Sequence, residues 1–304
     1  MGPEISDLIV DFDPVSLQRR PVHQAEVVEL FSKQGNHTAA RIVQRIASVG
    51  GVLDPRAVDT VLLRAHTELQ RLHEEFQHGR RVLRLLLPLI SACRTQGGHE
   101  GPLRIVDLGC GLGFVVRWLA ASRALPDDVV LVGCDYNQTL IEGARQLAKE
   151  ESLRCDFRVA NALTLAEPAH ILMSTGVIHH FQHDALTAFF AAQDKPELLA
   201  ALHYDITPTW AAPIGAWLFH QARMRQPLAR HDGLLSALRA HSNATLLDAA
   251  RQGAPGRSAR LFECPSPWMP MLRVLRPIVS LHPAILEPLT AALGDRARDL
   301  VETP

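Results

Sequence analysis

Three glycines at alternate positions, Gly109, Gly111 and Gly113, follow the apolar pair Ile105-Val106 and an acid, Asp107. A backbone that passes close beneath a ligand needs residues without side chains that can reach positive φ, and this spacing provides three of them. Asp107 stands two residues before the first glycine. Its carboxylate would repel a pyrophosphate but attract a cationic group. A dinucleotide turn has the spacing G-x-G-x-x-G, with the pyrophosphate docked on the next helix N-terminus. That spacing fails here, because Phe114 and Val116 stand where its last glycine would be. The string reads D-x-G-x-G-x-G instead, with Cys110 inside the turn.

Further polar residues sit at the ends of later apolar runs. Asp135, followed by Tyr136, lies about 20 residues past the glycine turn, where an acid can accept two hydrogen bonds from a sugar diol. The competing reading makes Asp135 a helix N-cap. Asn161 and Ala162 follow the next run, and the Asn161 amide oxygen can accept a hydrogen bond. Ser174 and Thr175 lead into His179, His180 and, after a gap, His183; Asp205 closes a later run after Tyr204. His180 can act as a general base, with His179 and Asp205 as further candidates, or the histidines can merely shape a pocket. A metal site needs three or four converging ligands, and no acidic partner stands near these histidines at recognisable spacing. No metal site is expected.

The elements that must position these groups alternate. Strands are expected over residues 104–108, 129–134, 156–159, 170–174 and 199–206, with helices over 115–123, 139–150 and 185–193. Such alternation implies a parallel sheet covered by helices on both faces, with ligands at the carboxyl ends of its strands. The first hundred residues read as helical: Asp54-Pro55 is a start signal, and Val58, Val61, Leu62, Leu69 and Leu72 recur at helical spacing. Residues 66–75 read as the polar face of that helix, and residues 85–90 as buried. The Gly-rich segment 97–102 is the expected domain boundary, giving a helical subdomain over 1–100 and a ligand-binding domain over 101–304. Toward the end, residues 245–252 read as a helix, and 259–262 and 271–275 as strands.

At residues 105–114 the sequence resembles motif I of the class I S-adenosylmethionine-dependent methyltransferases. The Ser174-to-Phe181 stretch resembles the corresponding turn of their UbiE-like small-molecule branch. The resemblance is good over residues 103–182, thin over 199–262 and absent before 100. It implies a Rossmann-like α/β sheet with helices on both faces, joined here to an N-terminal all-helical subdomain. It also implies S-adenosylmethionine (SAM) as cofactor and S-adenosylhomocysteine (SAH) as product. Asp107 would face the methionine ammonium, Asp135 and Tyr136 the ribose, Asn161 and Ala162 the adenine, and Ser174 to His180 the methyl-transfer site. Asn161 departs from the acid usual at its position.

The chain of 304 residues has 47% hydrophobic and 21% charged residues, and 31 Lys plus Arg nearly cancel 32 Asp plus Glu. This composition suits a folded chain and gives no support for nucleic-acid binding. Five cysteines without a C-x-x-C pair point to reduced thiols in a cytoplasmic protein. The first residues lack the features of a signal peptide. The longest apolar stretch, residues 210–219, is too short to span a bilayer and could line a pocket or pack the core. A small-molecule acceptor methylated at oxygen or carbon is the leading expectation. A protein or RNA methyltransferase and a catalytically silent SAM-binding scaffold are the alternatives. The N-terminal helices could close over the site, or serve as a docking surface or homodimer interface.

Overall fold

Short apolar runs separated by amphipathic helices build one central sheet in the computed structural model, which describes residues 2–97, 101–263 and 274–301. Its strands are β1 (Leu103–Leu108), β2 (Val129–Asp135), β3 (Asp156–Val159), β4 (Ile171–Thr175), β5 (Ala200–Ile206), β6 (Ser258–Phe262), β7 (Leu275–Leu281) and the short β8 (Leu300–Val301). Their order is β8-β6-β7-β5-β4-β1-β2-β3. The first five run parallel to one another, and β7 is antiparallel to both β5 and β6. The chain leaves β1 toward β2 and β3, then returns to place β4 on the other flank of β1. That reversal opens a crevice at the carboxyl ends of β1 and β4, where an open α/β sheet takes its ligand.

The helices are α1 (Ile5–Leu8), α2 (Gln24–Lys33), α3 (His37–Gln44), α4 (Pro55–Glu75), α5 (His78–Gly97), α6 (Phe114–Ser122), α7 (Gln138–Glu150), α8 (Asp184–Ala191), α9 (Ala212–Arg223), α10 (Pro227–Leu238), α11 (Asn243–Gly253) and α12 (Pro283–Leu293). Alternate residues of the strands feed two cores. Ile105, Leu131, Met173 and Leu202 pack with α5, α6, α7 and α12 on one face, while Val106, Val132, Leu172 and Ala201 pack with α8 and α11 on the other. A third core joins α1–α4 to α10 through Ile5, Phe31, Val43, Val58, Leu62, Met224 and Leu228.

The sheet's own core takes in α5, the helix that ends at the Gly-rich segment 97–102: Val82, Leu86 and Leu89 are buried in it. Residues 98–100 of that segment lie outside the described residues. The N-terminal region is helical as expected, and between its helices it carries two short hairpins pairing Asp11–Phe12 with Arg19–Arg20 and Ser48–Val49 with Val52–Leu53. The second hairpin turns at Gly50-Gly51, both at positive φ, a pair that suits a two-residue turn. Residues 210–219 are mostly uncovered, with Trp210 87% exposed and Ile214, Trp217 and Leu218 about half exposed, while Phe219 packs against the third core. Of the late strand expected at 271–275, residues 271–273 lie outside the described residues. No described helix is long and apolar enough to cross a membrane.

Candidate functional site

The turn after β1 uses its glycines as expected. Gly109, Gly111 and Gly113 have φ of 66°, 54° and 69°. A Cβ at Gly111 would lie 2.7 Å from Nδ1 of His66, so α4 of the N-terminal region rests directly on this turn. The Cys110 amide donates to the Cys134 carbonyl (3.0 Å), tying the turn to β2, and burial pushes the Cys110 thiol well up.

Asp107 is buried, and its Oδ1 has no hydrogen-bond partner among the described residues. Burial, and secondarily the charge of Asp135, pushes its carboxyl up to about 8. Asp135 is also buried and its carboxyl is raised by that burial. It accepts from the Gly111 amide (3.0 Å) and the Asn137 amide (2.9 Å). It is not the helix cap: Asn137 caps α7, accepting from Thr139 and Leu140. Two neighbouring acids therefore face the glycine turn, and among the described residues no ion pair engages either of them.

The other expected contacts fare differently. Tyr136 is half exposed and meets the ring of Phe12 edge-on at 5.2 Å. Asn161 donates to the Pro14 carbonyl (3.0 Å), while its amide oxygen is taken by the Leu163 amide (2.9 Å). Ala162 packs against the sheet beside it. Ser174 is occupied in the core: its hydroxyl bonds to Nδ1 of His203 (2.8 Å), whose Nε2 bonds to Gln193 (2.9 Å). Thr175 ends β4 opposite Tyr204.

At the turn after β4 the structure pairs His179 with Asp205 and brings His179 and His180 against the N-terminal segment. His179 bonds to Asp205 twice, through its amide (2.9 Å) and through Nδ1 (2.8 Å). That histidine holds the Asp205 carboxyl down to about 2, against the opposing effect of burial. His180 bonds through Nδ1 to Asp7 (2.9 Å), and its carbonyl accepts from Arg239 (2.9 Å). Despite its burial, Asp7 is held well below the usual carboxylate range by His180 and Arg239. Both carboxylates are ionised, so each imidazole donates to its partner from Nδ1 and turns Nε2 the other way. Those two Nε2 atoms face the buried Glu4, each 3.9 Å from one of its carboxylate oxygens.

Glu4, Asp7 and His66 stand at the site without having been singled out from the sequence. Glu4 and Asp7 come from far along the chain and carry no local motif. His66 was read as part of a polar face, yet burial pulls it and His73 down to about 4. Arg239 and Arg223 are paired with Asp7 (2.5 Å) and Glu75 (3.1 Å). The missing acidic partner of the histidines is supplied by Glu4, whose ligand atom lies within 4.8 Å of those of His179 and His180.

Residues 105–194 match the family model described as a methyltransferase domain. The chain is 31% identical over 157 residues to the ubiquinone biosynthesis O-methyltransferase of Chelativorans sp. (strain BNC1), covering 48% of this chain and 60% of that protein. It is 27% identical over 147 residues to the protein of the same description from Brucella ovis, covering 44% and 57%. The chain thus spans about six-tenths of the length of the curated relatives it matches. Among solved structures it is similar to the magnesium protoporphyrin IX methyltransferase of Synechocystis PCC 6803 with bound SAH, at 14% identity and a TM-score of 0.46, covering 85% of this chain and 99% of that one.

Proposed function

We propose that this chain, which carries a methyltransferase domain over residues 105–194, binds SAM and transfers its methyl group to an oxygen or carbon of a small-molecule acceptor. The observation that carries the reading is Asp107, a buried carboxyl with an unpartnered oxygen beside three glycines at positive φ. Such a group is costly unless a ligand brings the balancing cation, and the ammonium of a methionine moiety is one. Asp107 would hold that ammonium, and the free lone pairs of Asp135 the ribose hydroxyls. Tyr136, Asn161 and Ala162 would border the base. When bound, SAM supplies a methyl already activated on a sulfonium, so the chain has to align the reactants and exclude water. The lone pair at Nε2 of His180, fixed by the Nδ1 bond to Asp7, is available to take a proton from an acceptor hydroxyl. The curated relatives are described as O-methyltransferases of ubiquinone biosynthesis, which favours a hydroxyl acceptor.

The segment before α5 closes the site in this reading. Asp7 reaches His180, Phe12 reaches Tyr136, Pro14 reaches Asn161 and His66 rests on Gly111. These contacts support a cover over the carboxyl edge of the sheet more than a remote docking or dimer module. Calorimetry with SAH and NAD tests the cofactor: SAH binds, and NAD binding tighter than SAH overturns the reading. Radiolabelled SAM with cell extract, sorted by product size, tests the acceptor. Label in small molecules supports the proposal, and label only in protein or RNA defeats it. Hydrogen exchange with and without SAH tests the cover. Protection should reach α4 and residues 5–14 as well as 109–113, and protection confined to the sheet edge counts against it.

A further inference from the structure

We infer that Glu4, His179 and His180 form a binding site for a first-row divalent cation of the zinc or cobalt type. Each residue offers one ligand atom, and these atoms all lie within 4.8 Å of one another. The Glu4 carboxylate stands 3.9 Å from Nε2 of His179 through one oxygen and 3.9 Å from Nε2 of His180 through the other. Metal–nitrogen and metal–oxygen bonds of about 2.0–2.2 Å allow one ion to bridge gaps of that size.

What separates this trio from a chance gathering is the outer shell. A ligating histidine nearly always donates its second ring N–H to a carboxylate or carbonyl, which fixes the ring and makes the ligating nitrogen more basic. Both histidines have that partner here, Asp205 at 2.8 Å and Asp7 at 2.9 Å, both on Nδ1, so both free nitrogens are Nε2 and both face Glu4. Glu4 is itself oriented, accepting from the Ser236 hydroxyl at 3.0 Å.

Charge points the same way. Glu4, Asp7, Asp205 and Asp232 are all partly or fully buried around this turn, and Arg239 is the guanidinium paired with Glu4 and Asp7. A divalent ion would offset that excess of negative charge. Two imidazoles and one carboxylate suit zinc, cobalt or iron better than magnesium or calcium, which prefer oxygen donors. Three protein ligands leave a fourth position open, as in catalytic sites. His180 lies within electrostatic reach of Asp135, on the cofactor side of the crevice. In a part of the inference that rests on the methyltransferase reading, the open position takes an acceptor hydroxyl, and His180, with its Nε2 on the ion, is then a ligand in place of the base. The ion then lowers the pKa of that hydroxyl, its proton leaves to water, and the oxygen stays on the ion as the nucleophile.

Cobalt(II) titration of the full chain tests the site without assaying activity. We expect saturable binding with the intense visible absorption of a four-coordinate ion. Glu4→Gln and His180→Ala should each lose more than about 100-fold in affinity. Asp205→Asn, acting only through His179, should lose about 10–100-fold, the usual effect of an outer-shell partner. SAH calorimetry on the unmodified chain scores the cofactor reading separately, so either idea can fail alone. The pale spectrum of six-coordinate cobalt, or unmodified chain binding no tighter than the variants, overturns the site. Circular dichroism identifies a variant that fails to fold, and the half-exposed His180 keeps the comparison decisive if Glu4→Gln does so.

Discussion

Two acids equally hidden from water behave in opposite ways. Asp107 is 3% exposed and its carboxyl rises to about 8; Asp205 is 4% exposed and its carboxyl falls to about 2. Burial raises both, so the difference lies in what faces them. Asp205 meets His179 and two backbone amides, whereas Asp107 meets another acid and leaves one oxygen unpartnered. At the turn after β4 the Asp205–His179 pair is balanced from within and holds its geometry on its own. The turn after β1 carries a charge deficit, and a cationic ligand is the natural way to remove it. One end of the crevice is thus prepared as scaffold and the other as receptor.

The sharpest way to break this contrast is to remove each acid in turn. Asp107→Asn should cost about 3–5 kcal/mol in SAH affinity, the range for breaking a buried ion pair, while raising the melting temperature of the ligand-free protein. A variant that lost stability instead would show that Asp107 already has a partner. Asp205→Ala should do the reverse, lowering stability by about 3 kcal/mol in denaturant titration because His179 loses its buried partner. Unchanged stability would remove the scaffold half of the comparison. Asp135→Ala stands between the two, since it also accepts from Gly111 and Asn137. It should weaken SAH by about 1.5–3 kcal/mol in a chain that still folds, the range for hydrogen bonds to a charged group.

The smallest effect is in pH. Between 3.8 and about 8 the folded, ligand-free protein holds a proton on Asp107 that the unfolded chain has lost, so stability falls as pH rises through that window. SAH binding must displace this proton, so affinity should rise up to about tenfold per unit from pH 6 toward 8 and then level off. His66 and His73 have the opposite sign. Their folded values near 4 lie below 6.5, so stability is lost as pH falls from 6.5 toward 4. Melting temperature should therefore peak at mildly acidic pH. A melting temperature still climbing between pH 7 and 9 would contradict the unbalanced acid.

The receptor end was legible in the sequence because it is local. Acid and glycines lie within seven positions at the end of one strand, and each glycine is required by a backbone conformation that the structure adopts. The first five strands and most flanking helices fall within a residue or two of their expected bounds for the same reason: periodicity and turn residues act over short spans. Ser174 failed because period two in a strand sends neighbours to opposite faces, and its side chain went to the His203 side. The Gly50-Gly51 hairpin was readable but was overlooked among helical signals. The partners of the histidines were not readable. Nothing near Glu4 or Asp7 says that a chain reversal brings them to residues 179 and 180, and nothing in the α4 pattern separates His66 from an exposed polar residue.

The contacts across the crevice also differ in the length of chain they enclose. Gly111 meets Asp135 across 24 residues and His179 meets Asp205 across 26, whereas Asp7 meets His180 across 173 and the Ile5 amide meets Asp232 across 227. Contacts enclosing long loops form late, because their closure entropy must be met before they return any stability. Residues 5–14 are therefore among the last to find their partners. The carboxyl edge of the sheet can form before them, and they reach it by closing some of the longest loops among the described contacts.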